Sequence, residues 1–168
     1  MTNAPRIAVC PGTYDPITNG HLDIITRAAS TFDEVVVAVV HRPHRKGTTL
    51  FTIEERLSFI NEATADLPNV RVQTFRTLIV EFAREVGAQA IVKGLRAISD
   101  FEYELEMFQM NRHVAPEIDT FYLMASPRFS FLSSSGVKEL AAFGGNVDGL
   151  VAPRVAHRLQ EELGQQRN

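Results

Sequence analysis

Three stretches of this sequence carry side chains suited to gripping phosphate. In CPGTYDPITNGHLDII, residues 10–25, His21 follows Thr18, Asn19 and Gly20 at the start of an apolar-periodic run. A histidine in the first turn of a helix lies close to any anion held by the free N–H groups there, so His21 is placed to donate a hydrogen bond to phosphoryl oxygens. On position alone it could equally cap the helix or pack. VKGLRAISDFEYE, residues 92–104, sets Lys93 and Arg96 on either side of Gly94. SPRFSFLSSSGVKEL, residues 126–140, puts Ser133, Ser134 and Ser135 where a helix should begin, a second set of donors for an anion. Taken singly, the cations read as solvated loop charges and the serines as a cap. Neither G-x-x-x-x-G-K-[ST] nor G-x-G-x-x-G occurs, so a nucleotide would have to be bound in another way.

What would bring the three stretches together is the order of elements. Short apolar runs at 7–10, 35–40, 70–75, 90–92 and 121–124 are rich in β-branched or aromatic residues and read as strands. Their apolarity is continuous, which predicts burial on both faces and hence a parallel sheet. Between them lie helical patterns. Leu22, Ile25, Ala29 and Phe32 share one face, and so do Leu57, Ile60 and Ala63 or Thr64. Thr52 with Glu55, and Ser99 with Glu102, have capping-box spacing. Gly87 reads as a helix stop, and Pro153 opens a last helix with the stripe Val155, Leu159, Leu163. The order β-α-β-α-β-α-β-α-β-α-α predicts an α/β fold in one domain over residues 1–168: a doubly wound, Rossmann-like, five-stranded parallel sheet with helices on both faces. In that fold ligands bind beyond the carboxyl ends of the strands, where all three stretches fall.

Composition narrows the class of ligand. The chain has 168 residues, long enough to bury roughly 70% of its unfolded surface in one core. With 17 Lys and Arg against 20 Asp and Glu, a net charge of -3 argues against nucleic acid and favours a small metabolite. Cys10 has no partner for an internal disulfide, MTNAPRIAVC lacks the form of a signal peptide, and VVVAVV is far too short to span a membrane. A cytoplasmic protein is expected.

PGTYDPITNGH, KGLRAISDFEYE and FSFLSSSGVKE together resemble, in order and spacing, the bacterial phosphopantetheine adenylyltransferases. These belong to the nucleotidyltransferase superfamily, which carries a T/H-x-G-H motif and an I-S-S/T-S/T-x-x-R/K motif. The resemblance covers nearly the whole chain and implies transfer of the adenylyl group of ATP to 4′-phosphopantetheine. The products would be dephospho-coenzyme A and pyrophosphate, by direct in-line displacement. A phosphate monoester is already mostly ionised at neutral pH, so no general base is required, and positioning with charge neutralisation can do the work. By resemblance, Thr13 and His21 meet the phosphates and His21 stabilises the transition state. Thr13, Tyr14, His21, Gly94, Leu95, Arg96, Glu104 and the run Phe129, Ser130, Phe131, Leu132, Ser133, Ser134, Ser135 are the implied ATP contacts. Thr13, Lys46, Ile79 and Lys93 are the implied contacts of the second substrate. The implied catalytic set is His21, Lys46 and Arg96. Mg2+ is expected on the triphosphate, held mainly by phosphate oxygens and not by a protein metal site. A homohexamer and coenzyme A as a feedback ligand are also implied.

The chain departs from the family pattern in places. The family carries a catalytic lysine in the loop after the second strand, here the longer HRPHRKGTTLF. Counting from Pro43 selects Arg45 and residue type selects Lys46; Lys46 is preferred because a compact ammonium and a planar guanidinium place charge differently. Tyr14 stands where Phe is common, Leu132 replaces Ile, and Gly136 replaces a larger apolar residue. His41, His44, His113 and His157 are dispersed, without the spacing of a zinc site. Phe101, Tyr103, Leu105, Met107, Phe108 and Met110 read as core and subunit-contact surface, and Cys10 as a small buried strand residue. Two rival functions stand beside this one: adenylyl or cytidylyl transfer to another phosphorylated metabolite, such as nicotinamide mononucleotide or glycerol 3-phosphate, and a nucleotide-binding regulator without turnover.

Overall fold

The computed structural model of the chain describes residues 4–41 and 48–164. The five strands are β1 (Ile7–Gly12), β2 (Glu34–Val40), β3 (Val70–Phe75), β4 (Ala90–Leu95) and β5 (Asp119–Met124). The helices are α1 (Asn19–Ala29), α2 (Ile53–Ala63), α3 (Ile79–Glu85), α4 (Ile98–Val114), α5 (Ser134–Ala142) and α6 (Pro153–Gly164). A 3₁₀ turn, Pro127–Phe129, precedes α5. The strands form one sheet in the order β3-β2-β1-β4-β5, with every pairing parallel. The chain winds outward from β1 to β3 and then returns to β4 beside β1, so the strand order reverses between β1 and β4. Such a switch point opens a crevice at the carboxyl ends of the two strands.

Period-two burial on both faces explains why β1, β2 and β4 read as unbroken apolar runs, whereas the edge strands β3 and β5, expected to be covered likewise, contain no buried residue. Val35, Val37 and Val39 of β2 point with Ala8, Cys10, Ala90 and Val92 into one core, where Ile24, Ile25 and Ala28 of α1, Phe59 and Ile60 of α2, and Leu159 of α6 meet them. Val36 and Ala38 point with Val9 and Ile91 to the opposite face, against Val80, Phe82 and Ala83 of α3. At about 0.8 kcal/mol per buried methylene, the valines of β2 act from both faces at once.

Several boundaries differ from the sequence expectation, each for a physical reason. β1 runs through Pro11 and Gly12, which composition places outside regular structure. β1 pairs with β4 only at Ala8 and Val9. From Cys10 onward that edge is open, so a residue with no N–H to donate is tolerated there. β4 likewise extends through Lys93 and Gly94, residues expected in a loop. Gly94 is required by packing and not by flexibility, since a Cβ there would meet Ile24 Cγ1 of α1 at 2.9 Å.

The fully buried residues of α1 are Ile24, Ile25 and Ala28; of the expected Leu22, Ile25, Ala29, Phe32 stripe, Ile25 is buried and Ala29 and Phe32 pack half-buried against the same core. The Thr52–Glu55 capping box forms as expected. The Ser99–Glu102 box does not: α4 is capped by extended Ala97, so Ser99 lies within the helix. There the Arg96 backbone N–H donates to Asp100 Oδ2 at 3.3 Å, an acidic side chain reaching back over the first turn. Gly87 ends α3 at φ +73°, and Pro153 opens α6. The apolar residues of α4 are not core, because none of its described side chains is buried.

Candidate active site

The T-N-G-H start of α1 is a piece of precise local construction. Thr18 is the N-cap in extended conformation; its Oγ1 accepts from the His21 N–H at 3.3 Å, and its own N–H donates to His21 Nδ1 at 3.0 Å. This is a capping box with histidine in the position usually held by Glu or Gln. Asn19 ties the helix start to the segment ahead of α6, donating from its backbone to the Leu150 carbonyl and from its side chain to the Gly149 carbonyl, both at 2.8 Å. With the Asn19 and His21 N–H groups engaged, the Gly20 N–H is the one of the first turn without a hydrogen bond among the described residues, and Gly20 lines the cavity. His21 therefore caps the helix, as one sequence reading has it, and lines the cavity in which the other would have it meet phosphate.

That cavity has a volume of about 350 Å³ and lies where β1 and β4 part. Its walls gather the three stretches: Thr13, Tyr14 and His21 from the first, Lys93, Gly94, Arg96 and Glu104 from the second, and Phe129, Leu132, Ser133, Ser134 and Ser135 from the third. Leu95, Ser130 and Phe131 are not among its lining residues, and Phe131 is 70% exposed. Ile79 is also elsewhere, packed at the start of α3 against the core on the other face of the sheet. Lys46, its alternative Arg45, and His44 fall outside the described residues.

Tyr14 sits in the left-handed backbone region at φ +51°, uncommon for a residue with a Cβ. The conformation is held by burial of the ring and by its hydroxyl, which donates to the Cys10 carbonyl at 2.9 Å. A Cβ on Gly12 would meet that ring at 2.9 Å, so the loop needs glycine at 12 to fold over it. The Tyr14 ring then packs edge-on to His21, centroids 5.0 Å apart. Cys10 forms the cavity floor with its thiol pushed up to about 12 by burial, which excludes it as a thiolate nucleophile.

The cations are held in distinct ways. Lys93 Nζ lies 2.8 Å from Glu104 Oε2, and Tyr122 donates to the Glu104 backbone carbonyl at 3.1 Å. Desolvation first, then the Glu104 charge, pushes the Tyr122 hydroxyl up to about 12. Arg96 reaches across to the Leu132 carbonyl at 3.0 Å, joining the β4 end to the serine stretch. Ser133 caps α5 by accepting from the Gly136 N–H at 3.0 Å, and Ser134 donates to the Pro16 carbonyl at 2.8 Å. Glycine at 136 thus leaves a properly capped helix start.

Three supporting residues escaped the sequence reading. Asp15, 5% exposed, accepts from the Leu50 and Phe51 N–H groups at 2.9 Å each and pairs with Lys138 Nζ at 2.8 Å. Arg56, 1% exposed, donates to the carbonyls of Thr13 at 2.8 Å, Val40 at 3.0 Å and His41 at 3.2 Å, stapling the ends of β1 and β2 together. Lys138 carried a signal, as the basic residue that closes the second motif. Asp15 and Arg56 carried none, because their partners are distant in the chain.

Comparison with known proteins shows the family. Residues 9–140 match the cytidylyltransferase-like family. The chain belongs to that family. A curated phosphopantetheine adenylyltransferase of Herpetosiphon aurantiacus is 53% identical over 155 residues, covering 92% of this chain and 93% of that protein. One from Clostridium kluyveri is 53% identical over 148 residues, covering 88% and 89%. A solved structure, the lipopolysaccharide core biosynthesis protein of Thermoplasma volcanium GSS1, superimposes with a TM-score of 0.54 at 20% identity. It covers 73% of this chain and 98% of that one, and it shares the fold.

Proposed function

We propose that this chain transfers the adenylyl group of ATP to 4′-phosphopantetheine, releasing pyrophosphate and dephospho-coenzyme A in coenzyme A synthesis. The observation that carries the reading is 53% identity, over 92% of the chain, to a curated protein of that name. The cavity fits the chemistry. An oxygen of the acceptor phosphate forms a bond to the α-phosphorus of ATP while the bond from that phosphorus to the bridging oxygen of pyrophosphate breaks. The charge that moves is spread over phosphoryl oxygens, and the residues in reach are donors and cations: His21, Lys93, Arg96, and the N–H groups at the starts of α1 and α5. Arg96 faces the serine stretch and suits the ATP phosphates, with Lys46 proposed as a further cation from the loop after β2. Lys93, held by Glu104, suits the acceptor phosphate.

Mg2+ would enter on the triphosphate and neutralise part of its charge. The residues suit a cation held mainly by phosphate oxygens, since Glu104 is the acidic residue lining the cavity and is already paired with Lys93. The exposed Phe101, Tyr103, Leu105 and Met110 of α4 support assembly, and a homohexamer is the proposed state. Among the described residues no helix is long and apolar enough to cross a membrane, and a cytoplasmic location is proposed. Coenzyme A, which differs from the product by one phosphate, is proposed as a feedback ligand of the same cavity.

The test is pyrophosphate release from ATP with 4′-phosphopantetheine, nicotinamide mononucleotide and glycerol 3-phosphate in parallel. Turnover with the first alone is expected. Preference for another acceptor, or none with any, would overturn the reading.

A further inference from the structure

We propose that Asp15 is a positioning residue for adenylyl transfer: paired with Lys138, it holds the loop of Thr13 and Tyr14 and the serine start of α5 in one fixed geometry across the cavity. The role rests on the adenylyl-transfer reading. Asp15 is 5% exposed, and its carboxylate reaches two other parts of the fold. Oδ2 accepts from the Leu50 N–H and Oδ1 from the Phe51 N–H, both at 2.9 Å, just ahead of α2. Oδ2 also accepts from Lys138 Nζ of α5 at 2.8 Å. One turn earlier on the same face of α5, Ser134 donates to the Pro16 carbonyl at 2.8 Å. The loop is thus gripped from two sides, by α5 and by α2, from which Arg56 adds a bond to the Thr13 carbonyl at 2.8 Å.

The gripped residues are those that shape the cavity. Thr13 and Tyr14, next to Asp15, line one wall, and Ser133, Ser134 and Ser135 line another. Lys138 is not among the described residues that line it, although the second motif closes on a basic residue at this position. A buried carboxylate needs a compensating charge, and Lys138 supplies it. The ammonium therefore acts on the reaction through Asp15 and not by touching ATP. An apolar contact could also join the two elements, but a carboxylate accepts from three donors at once and so fixes direction as well as distance. Such fixing matters for an in-line displacement, because a misplacement of about 1 Å can cost about 10²-fold in rate.

The experiment is a double-mutant cycle on the full chain: Asp15→Asn, Lys138→Met and the two combined. Each is assayed for kcat and for the KM of ATP at a temperature where circular dichroism shows it folded. Asn keeps one acceptor oxygen and removes the charge; Met keeps most of the lysine stem. Each single substitution should lower kcat at saturating ATP by between about 10- and 10²-fold. In the Asp15→Asn background, Lys138→Met should cost less than about 2-fold more, because the charge it serves has gone. Parent-like kcat in folded Lys138→Met would overturn the proposal by reducing the pair to a stability element. Losses that multiply in the double variant would also overturn it, since Lys138 would then act on the substrate by itself. Should Asp15→Asn fail to fold, Lys138→Met decides alone: a fall in kcat supports the proposal, and a change confined to the KM of ATP overturns it. Absence of turnover in the parent protein would instead sink the adenylyl-transfer reading, a result distinct from parent-like variants of an active parent.

Discussion

Replacing Arg56 with Met removes a cation from the interior while keeping most of its apolar volume, which isolates the three hydrogen bonds that join the ends of β1 and β2. A hydrogen bond with a charged donor contributes about 1.5–3 kcal/mol, and a buried acceptor left unpaired costs about 1–3 kcal/mol. Thr13, Val40 and His41 are all half-buried, and the His41 bond is the longest of the three at 3.2 Å, so the Thr13 and Val40 bonds carry most of the weight. Two such bonds give an expected loss of roughly 3–6 kcal/mol. In a chain of this size that lowers the melting temperature by roughly 6–24 °C. Arg56→Lys should fall between the two, since an ammonium can reach fewer of the carbonyls at once. The assay is urea unfolding of the three proteins, followed by ATP titration of those that fold. Because Thr13 lines the cavity, Arg56→Lys should also weaken ATP binding. A loss below about 1 kcal/mol for Arg56→Met would refute the reasoning, by showing that the carbonyls are satisfied without the guanidinium.

Three other outcomes are expected. Lys93→Ala should chiefly raise the KM for 4′-phosphopantetheine and Arg96→Ala chiefly that for ATP; equal effects on both would show that one site serves both phosphates. Cys10 should resist a thiol reagent at pH 8 until the chain unfolds, because its thiol is pushed up to about 12; immediate modification in the native state would contradict its burial. The Arg158 guanidinium holds the Glu55 carboxylate below its usual range. A lowered carboxylate stabilises the fold above its unfolded value, about 4.3, and this contribution is lost as pH falls through the lower folded value. Arg158→Ala should accordingly flatten the acid limb of stability below about pH 5, and an unchanged limb would contradict the pairing.

The parallel sheet was legible because β1, β2 and β4 bury residues on both faces, which leaves continuous apolar runs, whereas the strand order was not, since an apolar run does not say which strand it lies beside. The three cavity-lining stretches were legible because each lies within a short span of chain beside a strand end. Long-range features were not. Asp15 pairs with Lys138 123 residues away, and Arg56 reaches Thr13 across 43, distances at which spacing carries no signal. The end of β1 was misread because the tolerance for Pro11 depends on β4 having already diverged, a fact of pairing and not of composition. For α4, read as core and subunit-contact surface, only the core part was misread, because apolar residues on a helix imply a covered face without saying which molecule covers it.

The central claim is that the T-N-G-H start of α1 both caps the helix and meets the transferring phosphate. It is tested most directly by measuring turnover, ATP dissociation constant and unfolding free energy on one preparation of His21→Ala. The account predicts a turnover loss of about 10²- to 10³-fold, ATP binding that changes much less, and a stability loss of about 1 kcal/mol from the broken cap. Turnover close to the parent protein's, with only the stability loss present, would show that His21 is a cap alone and would contradict the claim.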